Sequence, residues 1–158
     1  MIPTSAPNDG VVTFRRVLGE HARAAGQHCP AADLRTAIAV VACDVAGHTL
    51  YSLGPAEVTA ADIASARATE ICTGAATIAT SCVPSGQFAV DVSFRDDALT
   101  RMTSQTAGGN VRVAIDVDGR VVSTHTTMTP IDGPAEIAPF TQARATAVAA
   151  EIVANAPR

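Results

Sequence analysis

The sequence has no lysine and no tryptophan, and only one tyrosine and four phenylalanines among its 158 residues. Because aromatic side chains are so few, we expect a core of Val, Ile, Leu and Phe. The 11 strongly basic side chains are all arginine, which we attribute to the codon bias of a high-GC bacterium. The net charge is −4, with no basic run. This charge argues against nucleic acid or an anionic membrane surface as the partner.

Long apolar runs are also missing. No stretch approaches 18 consecutive apolar residues, so we expect no membrane insertion by this segment. Residues 1–10 lack the basic and apolar regions of a signal peptide, and we interpret them as a Pro-rich linker or a trimmed end. An export signal or anchor upstream of Met1 stays open. With 47% apolar and 16% charged residues, residues 11–156 are expected to form a single globular domain.

Known catalytic signatures are absent. The sequence contains no G-x-S-x-G, P-loop, dinucleotide glycine fingerprint or H-E-x-x-H. A calcium loop starting at Asp116 would need a carboxylate where Thr127 stands, so residues 116–119 are better explained as a hairpin turn. His125 lies in a predicted strand, where exposure on a sheet face explains it without an acid–base role. We therefore predict no enzyme, no cofactor, no metal and no catalytic residues.

Four cysteines, Cys29, Cys43, Cys72 and Cys82, form an even set that allows three disulfide pairings. Pairing in sequence order, Cys29 with Cys43 and Cys72 with Cys82, would close loops of roughly 10 to 15 residues, each bridge worth about 2–3 kcal/mol. Zinc is one alternative, but there is no C-x-x-C and no histidine at ligand spacing. Reduced, buried thiols are the other. Because disulfides persist in oxidising compartments, we favour export.

Hydrophobic periodicity places the strands and helices. It predicts strands over residues 11–18, 37–42, 48–53, 87–94, 111–117, 121–128 and 135–137. Gly19 and Gly54-Pro55 are expected to end the first and third of these, and residues 20–36 to be a loop with some helix. Three helices are predicted. The first follows Thr59, with Ile63 and Ala66 facing the core, and the second follows Asp96, with Leu99 and Met102 facing inward. The third follows Thr141.

The last helix is expected to bury a stripe of five side chains: Ala145, Val148, Ala149, Ile152 and Val153. Asp118-Gly119 predicts a type I′ hairpin turn, after which Val121, Ser123, His125 and Thr127 would share one sheet face. The order strand, helix, hairpin, strand, helix predicts an α+β fold. In it, helices pack on one face of a mostly antiparallel sheet.

The second half of the chain resembles a known family. The segment QFAVDVSF (87–94), a helix to Thr106 and VAIDVDGRVVS (113–123) are similar to the head subdomain of the first periplasmic domain in the SecD/SecDF protein-export family. The pattern continues in DGPAEI (132–137), Phe140-Thr141 and an Ala-rich helix. Upstream, FRRVL (14–18), Cys29-Pro30 and YSLGPAEV (51–58) resemble the same head. The similarity runs from about residue 12 to 153.

The chain also departs from the family. The return strand commonly runs Ser-Ala-Pro, whereas Thr124-His125 follow Ser123 here, and Ala138-Pro139 replace the usual glycine before Phe-Thr. The family's membrane helices and base subdomain have no counterpart in these residues. In the family the head is thought to engage the emerging polypeptide. The resemblance implies that a detached head could keep this role but not proton-driven translocation.

We therefore predict a non-catalytic extracytoplasmic binding module (periplasmic, attached to the cell envelope, or secreted) that engages an exported polypeptide or an envelope protein. A structural interaction domain with no export role is the first alternative. An enzyme is the second, and it would need a cavity joining His125 to a carboxylate or hydroxyl. An apolar groove or a free sheet edge would favour peptide binding by strand addition.

Overall fold

Eight β-strands and two α-helices follow one another along the residues that the computed structural model describes, 12–73, 83–127 and 130–155. The strands are β1 (Val12–Ala22), β2 (Val40–Cys43), β3 (Thr49–Thr59), β4 (Ile63–Thr73), β5 (Val83–Phe94), β6 (Val111–Val117), β7 (Arg120–Thr127) and β8 (Ala135–Phe140). The helices are α1 (Asp96–Thr106) and α2 (Gln142–Asn155), and a 3₁₀ turn (Ala60–Asp62) joins β3 to β4. The predicted linker, residues 1–10, lies outside the described residues.

The strands lie in two sheets. One sheet has five strands in the order β2-β3-β1-β6-β7, and the other has three in the order β4-β5-β8. All pairings between these named strands are antiparallel. The predicted α+β class is confirmed, with mostly antiparallel strands and two helices. The strands divide between two sheets, however, where the sequence suggested one.

One main core joins the two sheets and the two helices. Its fully or nearly buried members include Val12, Phe14, Ile63, Val90, Val92, Met102, Ile115, Ile137, Val148 and Ile152. The rings of Phe14 and Phe94 meet edge to face, with centroids 5.5 Å apart and planes at 87°. Such a pair adds about 0.5–1.5 kcal/mol to the burial of its apolar surface. The sheets are therefore held against each other by side chains from every layer.

A second, smaller core lies on the opposite face of the five-stranded sheet. It consists of Val40, Ala42, Leu53, Ala114 and Val121. The two outer strands of this sheet approach each other at one end, where Asp44 and Val121 form a parallel bridge. There the amide of Val45 donates to the carbonyl of Val121 at 3.1 Å. The sheet is therefore curled, and its concave face encloses the second core.

The prediction of a helix after Thr59 is wrong beyond the first turn. The expected capping contact is present, since the Thr59 amide donates to the Asp62 carboxylate at 2.9 Å. The chain nevertheless leaves the turn at Ile63 and continues as β4, which pairs with β5 along its length. Long-range pairing with a strongly alternating strand outweighs the local helix signal. Ile63 is buried as expected, but from a strand.

Two strands continue through residues that were expected to end them. β1 runs through Gly19, and β3 runs through Gly54-Pro55. Between Arg15 and Val17 the register of β1 on β3 shifts, and this bulge accommodates Pro55, which has no amide to donate. Residues 23–39 form turns and irregular structure without a helix, so the helix expected within residues 20–36 is also wrong.

The two long helices are present where they were predicted. α1 buries Met102 completely. The amide of Arg144 donates to the Thr141 hydroxyl at 3.2 Å, as expected for an N-cap. α2 buries four residues of the predicted stripe, but Val153 is 58% exposed, so the prediction that Val153 is buried is wrong. Val153 is the residue after Ile152, and the turn of the helix points it away from the core. Neither helix of the described chain has the length and hydropathy needed to cross a bilayer.

Candidate functional site

The candidate site is the seam where the two sheets meet edge to edge. β7 is one outer strand of the five-stranded sheet, and β8 is one outer strand of the three-stranded sheet. Their Cα atoms come within 8 Å of each other, whereas hydrogen-bonded strands lie about 4.8 Å apart. We call this region the β7–β8 seam; it comprises Arg120–Thr127 and Ala135–Phe140.

The β7 edge carries no charged side chain after its first residue. Residues 121–127 read VVSTHTT, a sequence whose Val and Thr residues favour extended backbone. Proteins commonly protect an exposed edge strand with charges or proline, and β8 has both, in Glu136 and Pro139. β7 therefore lacks the charge and the proline that protect β8, although at its start the Val121 carbonyl already accepts the Val45 amide.

The β6–β7 hairpin positions this edge. Asp118 and Gly119 have φ angles of 53° and 83°, which confirms the predicted type I′ turn. The Asp116 carboxylate accepts a hydrogen bond from the Gly119 amide at 2.8 Å. The turn also packs closely on Ala32, because a Cβ added to Gly119 would lie 2.4 Å from that side chain. The predicted return strand extends to Met128, which lies outside the described residues.

A register shift in the hairpin decides which side chains of β7 face the seam. Ser123 pairs with Ile115, but Val121 pairs with Asp116 on the next position of β6. Val121 therefore belongs to the second core on the concave face. The expectation that it shares a face with Ser123 and His125 is wrong, because the sequence does not reveal the extra residue of a bulge.

At one end of the seam lies a cavity of about 420 Å³, which we call the arginine cavity. Its apolar lining is Val45, Val117, Val122, Pro139 and Phe140, and its polar lining is Asp118, Arg120, Thr141 and Arg144. Arg144 donates to the Asp118 carboxylate at 3.0 Å. The Arg120 guanidinium donates to the carbonyl of Asp44 at 3.3 Å. The cavity therefore combines apolar walls with two cations and one carboxylate.

At the other end lies a smaller cavity of about 210 Å³, which we call the histidine cavity. Phe14, Val113, Ile115 and Ile131 belong to its apolar lining, and His125 and Glu136 are its titratable groups. The two cavities border the same pair of strands, so an extended chain along the seam could place side chains in both.

His125 also contacts a hydroxyl. Its Nε2 lies 3.3 Å from the Ser123 Oγ, and both residues project from the same face of β7. A serine nucleophile needs a base in contact and a third group that orients the base. Within the described part of the chain, no carboxylate is hydrogen-bonded to His125. The pair therefore supplies two parts of a nucleophilic site, and both lie at the surface.

On the concave face of the five-stranded sheet, Arg15 of the middle strand β1 is 1% exposed. Its guanidinium donates to the carbonyls of Ile38 at 2.9 Å and Gly54 at 3.0 Å, and to that of Arg35. Burial lowers the pKa of Arg15 from its ordinary value, while the carboxylates of Asp116 and Asp33 oppose that shift. Arg15 thus ties the irregular segment 23–39 to the sheet.

Asp116 is the second buried charged residue of this face, at 2% exposure. Burial raises the pKa of Asp116 to about 6, while the hydrogen bond from Gly119 and the charge of Arg15 act in the opposite direction. The sequence singled out residue 116 only as a member of the turn. Neither its burial nor that of Arg15 was predicted, because each follows from the curl of the sheet.

The first predicted disulfide is present: Cys29 and Cys43 are bonded, with Cα atoms 5.7 Å apart. It anchors the start of segment 29–39 to β2. The second predicted pair contains Cys82, which lies outside the described residues, so the pairing of Cys72 with Cys82 stays a prediction. Among the residues that the structure describes, no group of three or more His, Cys, Asp or Glu side chains could hold a metal ion.

Among the solved structures that resemble this fold are two of SecDF. One is SecDF, described as a membrane component that enhances protein export: the TM-score is 0.60 and the identity 21%, over 95% of this chain and 64% of that chain. The other is SecDF in a super-membrane-facing form, with a TM-score of 0.61 and 19% identity over 95% of this chain and 19% of that chain. No protein-family profile and no curated protein matches the sequence.

The chain therefore has a SecDF-like periplasmic-domain fold, and the resemblance noted from its motifs is confirmed at the level of the fold. It spans less than two thirds of the first SecDF chain. The identities of 21% and 19% establish shared architecture alone. A shared fold does not fix function, which depends on the residues of the seam itself.

Proposed function

We propose that this protein is a non-catalytic, extracytoplasmic module that binds extended segments of polypeptide along the β7–β8 seam. The observation that carries the proposal is the uncharged edge of β7, which among the described strands is hydrogen-bonded only to β6 along residues 123–127 and has a cavity at each end. In strand addition, main-chain hydrogen bonds supply affinity and cavities select alternate side chains. The similarity to SecDF, a component that enhances protein export, suggests that the polypeptide is an exported one.

The spacing of the seam limits how the polypeptide can bind. A strand paired with both β7 and β8 would need about 9.6 Å between them, twice the ordinary spacing. Since the two strands come within 8 Å, β8 must move away from β7 where a polypeptide pairs, and we place the polypeptide on β7 alone. Pro139 and Glu136 make β8 the less suitable edge.

An oxidising compartment is supported by the Cys29–Cys43 bridge, because structural disulfides are rare in reducing cytoplasm.

We likewise propose that residues 11–156 form one domain, since the main core contains side chains from both sheets and both helices. An envelope protein with an exposed strand would use the same edge as an exported polypeptide.

Site-directed crosslinking tests the proposal. A photoreactive residue at Thr126, exposed on β7, is compared with one at Ser52, which is also exposed but lies on a strand paired on both sides. With a reduced, unfolded secretory protein as the probe, we expect crosslinks from Thr126 and none from Ser52. Equal yields at both positions, or none at either, would contradict binding at the β7 edge and leave a purely structural domain.

A hydrolytic role is the second candidate, favoured by the contact between Ser123 and His125. We expect this role to fail, because the pair is exposed and, among the described residues, no carboxylate is hydrogen-bonded to His125 to orient it. A fluorophosphonate probe, which labels activated serines, should not label the protein. Labelling that disappears in Ser123→Ala would show that the protein is an enzyme.

A further inference from the structure

The arginine cavity has features that the rest of the seam lacks. Val117 lies at its buried apolar wall, whereas Arg120 and Arg144 lie on its lining with a single carboxylate, Asp118. Two cations against one anion leave a local charge of +1 (2 − 1 = +1). The whole chain carries −4, so this cavity is a local exception.

Both arginines retain donors for a ligand. A guanidinium has five N–H groups in a planar fork. Arg144 uses one nitrogen on Asp118 at 3.0 Å, and Arg120 uses one on the carbonyl of Asp44 at 3.3 Å. The remaining N–H groups can accommodate a carboxylate, which pairs with arginine through two parallel hydrogen bonds.

The position of Arg144 adds to the attraction for an anion. It lies in the first turn of α2, which contains no acidic residue. A helix N-terminus carries partial positive charge, so acidic residues usually occupy this turn. Here a cation stands in their place beside an apolar cavity of about 420 Å³. That volume is within the roughly 300–1,000 Å³ of small-ligand sites, so it can hold one apolar side chain with a carboxylate next to it.

We propose that the arginine cavity binds the C-terminal residue of a polypeptide, its free carboxylate on Arg120 and Arg144 and its apolar side chain against Val117 and Phe140. This inference rests on the proposed function, because the rest of the polypeptide lies on β7. A C-terminal residue presents a carboxylate and an apolar side chain from the same Cα atom, which matches the composition of the cavity.

The direction of β7 agrees with this orientation. β7 begins with Arg120 at the arginine cavity and ends with Thr127 at the histidine cavity. A polypeptide whose C-terminus lies in the arginine cavity therefore runs antiparallel to β7. Antiparallel pairing is the slightly more stable arrangement per residue.

The test uses two fluorescein-labelled, Val/Thr-rich peptides that end in Leu. They differ only at the C-terminus, which is a free carboxylate in one peptide (the acid) and an amide in the other. Fluorescence anisotropy at low salt should show the acid binding about tenfold more tightly, as expected for losing a charge-assisted hydrogen bond. Arg120→Gln and Arg144→Gln should each remove most of that preference. The matched control is Arg101→Gln, since Arg101 pairs with Asp62 at 3.1 Å and has the same 42% exposure as Arg144.

The outcomes separate this inference from the function on which it rests. Equal affinity for acid and amide would overturn the C-terminal site while leaving polypeptide binding intact. Failure of both peptides to bind would overturn polypeptide binding and the C-terminal site with it. Decanoate as a competitor supplies the remaining control: if it binds the cavity more tightly than the acid peptide, the occupant is a fatty acid and the inference is wrong.

Discussion

Replacing Asp116 with Asn should remove a pH-dependent loss of stability that this buried carboxyl causes. The Asp116 carboxyl is 2% exposed, and its pKa is about 6 in the folded protein against an ordinary value of 3.8. Asn keeps an oxygen that can accept from the Gly119 amide, so the hairpin turn is retained. The substitution removes only the group that must ionise in a buried position.

The sign and size follow from linkage. A group whose pKa is raised on folding contributes stability that is fully present below its unfolded pKa and is lost as the pH rises through its folded pKa. For Asp116 the two values are 3.8 and about 6. The wild-type protein should therefore lose about 2–3 kcal/mol of unfolding free energy between pH 4 and pH 7 from this one group. Asp116→Asn lacks this loss.

Urea unfolding followed by circular dichroism at half-unit steps from pH 4 to pH 7 measures the effect. Subtracting the wild-type curve from that of Asp116→Asn cancels the other carboxyls, and the difference should rise by about 2–3 kcal/mol toward pH 7. Asp132→Asn is the control, since it removes an exposed carboxylate outside the hairpin; Asp118 is unsuitable because its charge helps to raise the pKa of Asp116. Parallel curves for wild type and Asp116→Asn would refute the account of this carboxyl.

Three further substitutions test the packing around the site by urea unfolding. Gly119→Ala should cost roughly 1–3 kcal/mol more than Gly26→Ala, because both glycines have φ near +80° but only Gly119 would meet Ala32; equal losses would contradict that contact. Replacing Cys29 and Cys43 with Ser should lower stability by about 3 kcal/mol, given their separation of 14 residues. Thr141→Ala should cost about 1 kcal/mol through the lost N-cap, whereas Thr146→Ala, exposed within the same helix, should cost nothing; similar losses would show that capping is unimportant.

Local signals predicted the parts of the fold that depend on neighbouring residues. The alternation in β5, the Asp118-Gly119 turn and the Thr141 cap each act within a few residues, and each is found where expected. The same reasoning placed a helix after Thr59. There the capping contact is correct, but pairing with β5 determines the next 11 residues.

The candidate site was harder to predict, because long-range geometry creates it. Arg15 lies in a strand whose local sequence does not indicate that its side chain is buried. The curl of the sheet encloses it together with Asp116. Arg120 and Arg144 are separated by 24 positions and meet because the hairpin turn lies beside the first turn of α2. The resemblance to the SecDF head led only to the hypothesis that a polypeptide binds, and it did not locate the edge.

Amide hydrogen exchange tests the central claim, that an extended polypeptide pairs with β7. Exchange is measured with and without an unfolded secretory polypeptide, and β2 serves as the comparison because it is also an outer strand of the same sheet. We predict slower exchange at residues 123–127 and unchanged exchange in β2. Protection at β2 or β4 instead of β7, or no change at any strand while the polypeptide is bound, would contradict the account.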